Sequence, residues 1–358
     1  MTARPHRLLT RAALVLVALL VGEVGLRGLD RWRGTPTNSL YSIVRTDGAS
    51  FHLEPGARVV VPERYGDIEY RINSRGFRDD EWGASRPDVV LLGDSVAFGL
   101  GASQPQTFAA LLESELAPGR TADVRNLAVF AYNTRDEARV FREVGAPMRA
   151  PIVLLQFYLN DYSIPEPSNS TPGPAPRPRL RDLLRGGWNR LAYSSNLYRR
   201  LNQMASGSVY WATHDLRRQR FSGSLNHAEV LHKTEYLRER PRDSDVPAFV
   251  EIEQLRGAIS AAGASLIVVN SPDEVQLFEA QFDGLNRRLA AFCAAEGIPL
   301  IDLTAALRGA QPRHRLFLDG VHLSPLGHRV VAREISERLK TFSASAADSA
   351  PSSPDSQR

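Results

Sequence analysis

From residue 88 onward the chain alternates between two hydrophobic patterns. Short apolar runs occur at 88–93 (DVVLLG), 124–129 (VRNLAV), 151–158 (PIVLLQFY), 265–270 (SLIVVN) and 298–303 (IPLIDL). Each is rich in Val, Ile or Leu with little polar interruption, as strands buried on both faces require. Helical periodicity fills the gaps at 105–117, 134–146, 247–262 and 276–296, and returns at 325–341. Strands alternating with helices predict an α/β fold, a parallel five-stranded sheet with helices on both faces. Residues 57–73 alternate like two strands around a turn, so a small β element precedes this domain.

Three segments depart from that alternation. Residues 12–22 (AALVLVALLVG) are uncharged and apolar behind Arg4, Arg7 and Arg11. The apolar pattern then continues through Val24 and Leu26, interrupted by Glu23, and no small-residue cleavage site follows. We read 8–26 as a membrane-spanning anchor, ahead of a cleaved signal peptide and a buried amphipathic helix. Arg27, Arg31 and Arg33 nearly balance the arginines in front, so orientation rests on the default of a cytoplasmic N-terminus. That default places the large domain outside the cytoplasm. At the other end, 342–358 is Ser, Ala, Asp and Pro with little apolar mass and reads as a disordered tail.

The third segment, 162–246, is far longer than a crossover loop. It opens on a Pro-rich stretch (164–179) expected to be extended, followed by helical pieces near 180–185, 188–205 and 211–220. The domain plan is therefore 1–33 basic N-terminus and anchor, 34–84 linker and β element, 85–341 main domain with the 162–246 insertion, and 342–358 tail.

Composition narrows the function classes. The net charge is only +4 over 358 residues, which argues against a nucleic-acid partner. Residues 177–240 nevertheless hold 13 Lys+Arg and 5 Asp+Glu, so an anionic partner, if there is one, belongs at that insertion. The single cysteine, Cys293, excludes an intrachain disulfide and any cysteine-built zinc site, and its apolar setting marks it as a small core residue. Gly93, Gly99 and Gly101 match neither phosphate-loop spacing, and His322 and His328 lack a third ligand. No cofactor or metal is therefore expected. His328 is read as structural.

The chemistry-bearing residues fall at strand ends. The first strand runs into Gly93-Asp94-Ser95, which can present a serine hydroxyl beside backbone N–H groups. A serine needs a base oriented by a third group, and Asp319-Gly-Val-His322 supplies both. The third strand ends in Tyr158-Leu159-Asn160-Asp161, whose Asn can donate to an oxyanion. The second strand leads into 126–134, where a further backbone N–H can serve the same end.

These blocks, in this order, resemble the SGNH (GDSL-type) hydrolase superfamily, most closely its bacterial membrane-anchored or exported members. The likeness covers 68–161 and 247–341, including the lead-in Asn73-Ser74-Arg75-Gly76-Phe77-Arg78. It implies a three-layer α/β/α fold with a flavodoxin-like sheet. It also implies Ser95 as nucleophile, His322 as base, Asp319 as its orienter, and an oxyanion hole from Ser95, Ala131 and Asn160. Two positions depart from the family pattern: Ala131 and Tyr158 stand where the family has glycine. Alanine keeps the backbone donor but disfavours a positive φ, and Tyr158 narrows the space near the hole. The expected activity is hydrolysis of O-acyl, chiefly acetyl, esters on a glycan or other envelope molecule, with membrane contact through the N-terminal helix. The alternatives are acyl transfer to an exported polysaccharide and a catalytically silent, membrane-tethered binding module.

Overall fold

In the computed structural model the described residues are 40–47, 50–63, 66–116, 122–162, 164 and 227–348, with 10, 11, 14, 17–26 and 28 near the N-terminus. The chain divides into two compact units. One comprises 1–42, 59–67 and 165–221; the other comprises 43–58, 68–164 and 222–358 and contains the main sheet.

The sheet has five strands: β5 (Val89–Leu92), β6 (Val124–Asn126), β7 (Ile152–Phe157), β8 (Ser265–Asn270) and β9 (Leu300–Asp302), in the order β6-β5-β7-β8-β9. Every pairing is parallel, with Leu91 opposite both Asn126 and Leu154. All five expected strands are present; 265–270 is found with its expected bounds, and the other four are shorter by one to three residues at one or both ends. Four of the five are almost wholly buried, which explains their uninterrupted apolar sequences.

Strand order also fixes the helical layers. The chain leaves β5 in one direction to reach β6, through α2 (Phe108–Leu116), and then reverses to reach β7, through α3 (Thr134–Val140). Right-handed crossovers place those two helices on opposite faces. The remaining helices agree: α9 (Pro325–Asp348) packs on α2, and α5 (Pro247–Ala261) packs on α3. The reversal at β5 makes the carboxyl ends of β5 and β7 the topological switch point, where ligands bind in such sheets.

Several expectations are corrected. The helix expected over 276–296 is three pieces, α6 (Glu274–Phe278), a 3-10 turn (Ala280–Asp283) and α7 (Gly284–Ala295), because Glu279 adopts an extended backbone. The segment expected at 105–117 begins as a 3-10 turn at Gln104–Gln106 with Pro105 in it, and the helix proper starts at Phe108. Helix α3 passes into a π turn at Phe141–Gly145. Two short helices were not anticipated, α1 (Ser95–Phe98) and α8 (Thr304–Gly309). Helix α9 runs on to Asp348, into the tail expected to be disordered; its Ala residues favour helix and no Pro interrupts before Pro351.

On the N-terminal side, β3 (Arg58–Glu63) and β4 (Gly66–Arg71) are the two strands expected around a turn. A hairpin of β1 (Val44–Asp47) and β2 (Ser50–Leu53) precedes them and was not anticipated. Residues 17–26 are helical, with Val17, Leu19, Leu20, Val21 and Val24 exposed. Among the described residues, no helix is long and apolar enough to cross a membrane. The insertion's Pro-rich stretch and helical pieces from 165 to 220 lie outside the described residues. Its last part contains α4 (His227–Arg238).

The lead-in before β5 acts on the sheet's carboxyl edge. Arg78 is buried, and its guanidinium donates to the carbonyls of Phe98 (3.0 Å), Gly99 (2.6 Å) and Ala102 (2.6 Å). It lies 4.3 Å from the centroid of the Tyr70 ring, and Tyr70 in turn stacks on Phe98. Each such bond to a charged donor contributes about 1.5–3 kcal/mol, which offsets the cost of burying the guanidinium. The loop leaving α1 is thereby tied to β4 and its flanking turn.

Candidate active site

Ser95 opens α1 directly beyond β5. The close turn there requires Gly93: a Cβ on it would sit 2.7 Å from both Ala97 Cβ and Gln156 Oε1. That same Gln156 oxygen accepts from the Asp94 and Ala97 N–H groups at 3.2 Å. Asp94 caps α1 by accepting from Val96 N at 2.8 Å. Burial pushes its carboxyl up to about 6, opposed by the Val96 N–H, the nearby His322 charge and the Gln156 and Asn160 amides.

The last block of the chain arrives at the same place. His322 Nε2 lies 3.0 Å from Ser95 Oγ, and its Nδ1 lies 2.7 Å from Asp319 Oδ2. The other Asp319 oxygen accepts from the Val321 and His322 N–H groups at 3.0 and 2.9 Å, which fixes the carboxylate in a tight loop. Burial raises the Asp319 carboxyl, but the hydrogen bond and charge of His322, with those two N–H groups, outweigh it and hold the pKa below the usual value. Asp319 is therefore an ionised acceptor at neutral pH. An anionic acceptor on Nδ1 selects the tautomer with Nε2 free to take a proton from a hydroxyl. His328, by contrast, is buried and accepts from Phe108 N at 3.1 Å, a structural role.

Ala131 adopts φ 64°, the left-handed conformation a glycine would take more readily. It occupies the third position of a turn closed by Tyr132 N–H to Val129 C=O at 3.2 Å. The strain for an alanine is about 1–2 kcal/mol, small enough for the surrounding contacts to sustain. Asn160 lies beside this turn, its Nδ2 donating to Tyr132 O at 2.9 Å. The hairpin missed in the sequence supports the turn from outside: Phe51 packs on Phe130 and Tyr132, and Tyr132 Oη donates to Phe51 O at 2.7 Å. Its only sequence signal was Asp47-Gly48, a turn dipeptide between alternating residues.

Behind the serine lies a buried acidic group that sequence reasoning did not find. Asp161 accepts from Tyr158 N at 2.8 Å and from Thr134 Oγ1 at 3.2 Å. Glu137, one helical turn after Thr134, is fully buried, and neither of its carboxyl oxygens has a hydrogen-bond partner among the described residues. Burial, then the charges of Asp161, Asp94 and Asp136, push Glu137 well above the usual carboxylate value. Burial and Asp94 do the same to Asp161. Lys233 of α4 brings a positive charge into range of Asp161, and burial lowers its own pKa. Cys293 is buried in α7, and burial alone pushes its thiol up to about 12.

Because Glu137 titrates higher in the folded chain, its contribution to stability is complete below about 4.5, its ordinary value, and is lost as pH rises through the raised value. Glu137→Gln is therefore expected to raise the melting temperature at pH 8 and to flatten its fall between pH 5 and 8. Thermal melts across that range check this; an unchanged slope would contradict a raised Glu137 pKa in the folded chain.

The GDSL-like lipase/acylhydrolase family matches residues 91–330. No curated protein matches the chain. Among solved structures, it is similar to TesA, at 14% identity over 71% of this chain and 98% of that one, with a TM-score of 0.42. It is similar to a lipase/acylhydrolase from Enterococcus faecalis at 14% identity, 72% and 96% coverage and a TM-score of 0.41. A catalytic mutant of an acetylxylan esterase from Geobacillus stearothermophilus gives 14% identity, 71% and 94% coverage and a TM-score of 0.40. The family match takes in most of the chain, from within β5 to the first turns of α9, and the chain belongs to the GDSL-like lipase/acylhydrolase family, hydrolases that act on esters.

Proposed function

We propose that the protein is a serine esterase in which Ser95, His322 and Asp319 act as nucleophile, base and orienter. The observation that carries this reading is the continuous line from Asp319 through His322 to Ser95, with contacts of 2.7 and 3.0 Å. His322 Nε2 takes the Ser95 proton as Oγ attacks the ester carbonyl. The tetrahedral oxyanion is held by the N–H groups of Ser95 and Ala131 and by the Asn160 amide. Collapse expels the alkoxide, which takes the proton from His322, and leaves an acyl group on Oγ. Water, deprotonated by His322, then attacks the acyl carbonyl; the carboxylic acid departs and Ser95 regains its proton. The positive φ of Ala131 supports its place in the hole, because that is the backbone a glycine donor would adopt.

The substrate class we propose, an O-acetylated glycan or another envelope ester, follows from the resemblance of the lead-in and motif order to exported members of the superfamily. Membrane attachment through 8–26, with the catalytic domain outside the cytoplasm, is part of the same proposal. It draws support from the exposed apolar side chains of the helical residues 17–26.

The full chain is expected to release p-nitrophenol from p-nitrophenyl acetate, and Ser95→Ala to lower that rate at least about 1,000-fold. Hydrolysis untouched by the substitution would remove Ser95 from the mechanism, and an inert wild type would favour the silent binding module. Acetylated acceptor in place of free acetate, detected by mass spectrometry with a glycan present, would reassign the enzyme as a transferase. A periplasm-dependent reporter fused after Arg358 is expected to be active; a dark reporter would overturn the exported orientation.

A further inference from the structure

Tyr158 stands where the family pattern has glycine. Its hydroxyl donates to Asp273 Oδ2 at 2.7 Å, and both residues are buried. Asp273 is the N-cap of α6: its other oxygen accepts from Val275 N at 2.9 Å, and Gln276 closes a capping box by accepting from Asp273 N at 2.9 Å. The next residue of that helix, Glu274, donates its N–H to the carbonyl of Gly320 at 2.9 Å. Gly320 has φ 101° and lies between Asp319 and His322, in the loop whose backbone and side chains hold the imidazole.

We infer that Tyr158 is a positioning residue for His322, acting through the Asp273 cap and the first turn of α6 on the Gly320 carbonyl. The inference rests on the proposed esterase reading of Ser95 and His322. The contacts run without a gap from the end of β7, two residues before Asn160, to the loop that carries the base. One strand end thus sets both the amide proposed for the oxyanion hole and, by way of α6, the imidazole opposite it. The second half of the device is well anchored: Gln276 Nε2 donates to Asn286 Oδ1 at 2.9 Å, and Asn286 Nδ2 to Thr304 Oγ1 at 2.8 Å. These bonds tie α6 to α7 and α7 in turn to α8, while Tyr158 Oη holds the capped end of α6 through Asp273. Burial and the Asp273 charge push the Tyr158 phenol well above its usual value, which keeps it a donor at all working pH.

Two readouts test this, one of them independent of turnover. In Tyr158→Phe, kcat for p-nitrophenyl acetate is expected to fall about tenfold with KM unchanged, and the downfield proton resonance of the His322 Nδ1–H to Asp319 bond to weaken. Asp273→Asn, which keeps an oxygen for the helix cap but removes the charge, is expected to act in the same direction. The double variant should lose little more than either single one, because both cut one line of contacts. A wild-type resonance and wild-type kcat in a Tyr158→Phe protein that merely melts earlier would overturn the inference. Should the wild type prove inert toward esters, the esterase reading fails, and the resonance alone still decides whether Tyr158 positions His322.

Discussion

The contact between Ser95 and His322 joins residues 227 positions apart in the chain, and much of the fold is arranged so that it can form. A neutral serine and an imidazole do not find each other by their own attraction, since a single hydrogen bond contributes about 1 kcal/mol net. The geometry must be imposed by larger forces. Burial of both faces of β5 and β7 fixes where Ser95 emerges, and the packing of α9 on α2 fixes where the loop ahead of α9 arrives. Ser324 N–H to the Leu316 carbonyl at 2.8 Å, and Leu318 N–H to the His322 carbonyl at 2.7 Å, then close that loop on itself.

Buried charge is the main stress this arrangement has to contain. Asp94 caps the helix that carries Ser95, while Asp161 and Glu137 crowd behind it, and three carboxylates cannot all ionise in a dry interior. Burial raises all three, and repulsion adds to it at Glu137 and Asp161: Asp94 rises to about 6, Glu137 and Asp161 well above the usual carboxylate value, while Lys233 brings an opposite charge into range of Asp161. Asp319, on the open side, is in the opposite condition: it is fixed by N–H donors and stays ionised. The site therefore separates its acids by environment, with pKa values raised behind the serine and lowered behind the histidine.

How much of this was legible in the sequence depended on range. The five strands were legible because burial on both faces leaves no polar residue to break the run, as in Val89–Leu92. The residues Ser95, Asn160, Asp319 and His322 were legible by type and order, although no local feature set their spacing. Arg78 could be placed in a lead-in but not paired, since its partners are carbonyls 20 to 24 residues away that present no side chain to read. The Tyr158 to Asp273 bond spans 115 residues and was invisible for the same reason. The break in the helix at Glu279 was missed because the apolar periodicity of 276–296 continues across it. Glu137 reads as an ordinary charged helix residue until the fold buries it.

The central claim, that His322 activates Ser95 for attack, is tested most directly by covalent labelling. The full chain would be exposed to a fluorophosphonate and followed by intact mass and peptide mapping. A single adduct on Ser95, formed rapidly by the wild type and at least about 1,000-fold more slowly by His322→Ala, is the predicted result. An adduct on another residue, or labelling of Ser95 at the same rate without the imidazole, would contradict the account.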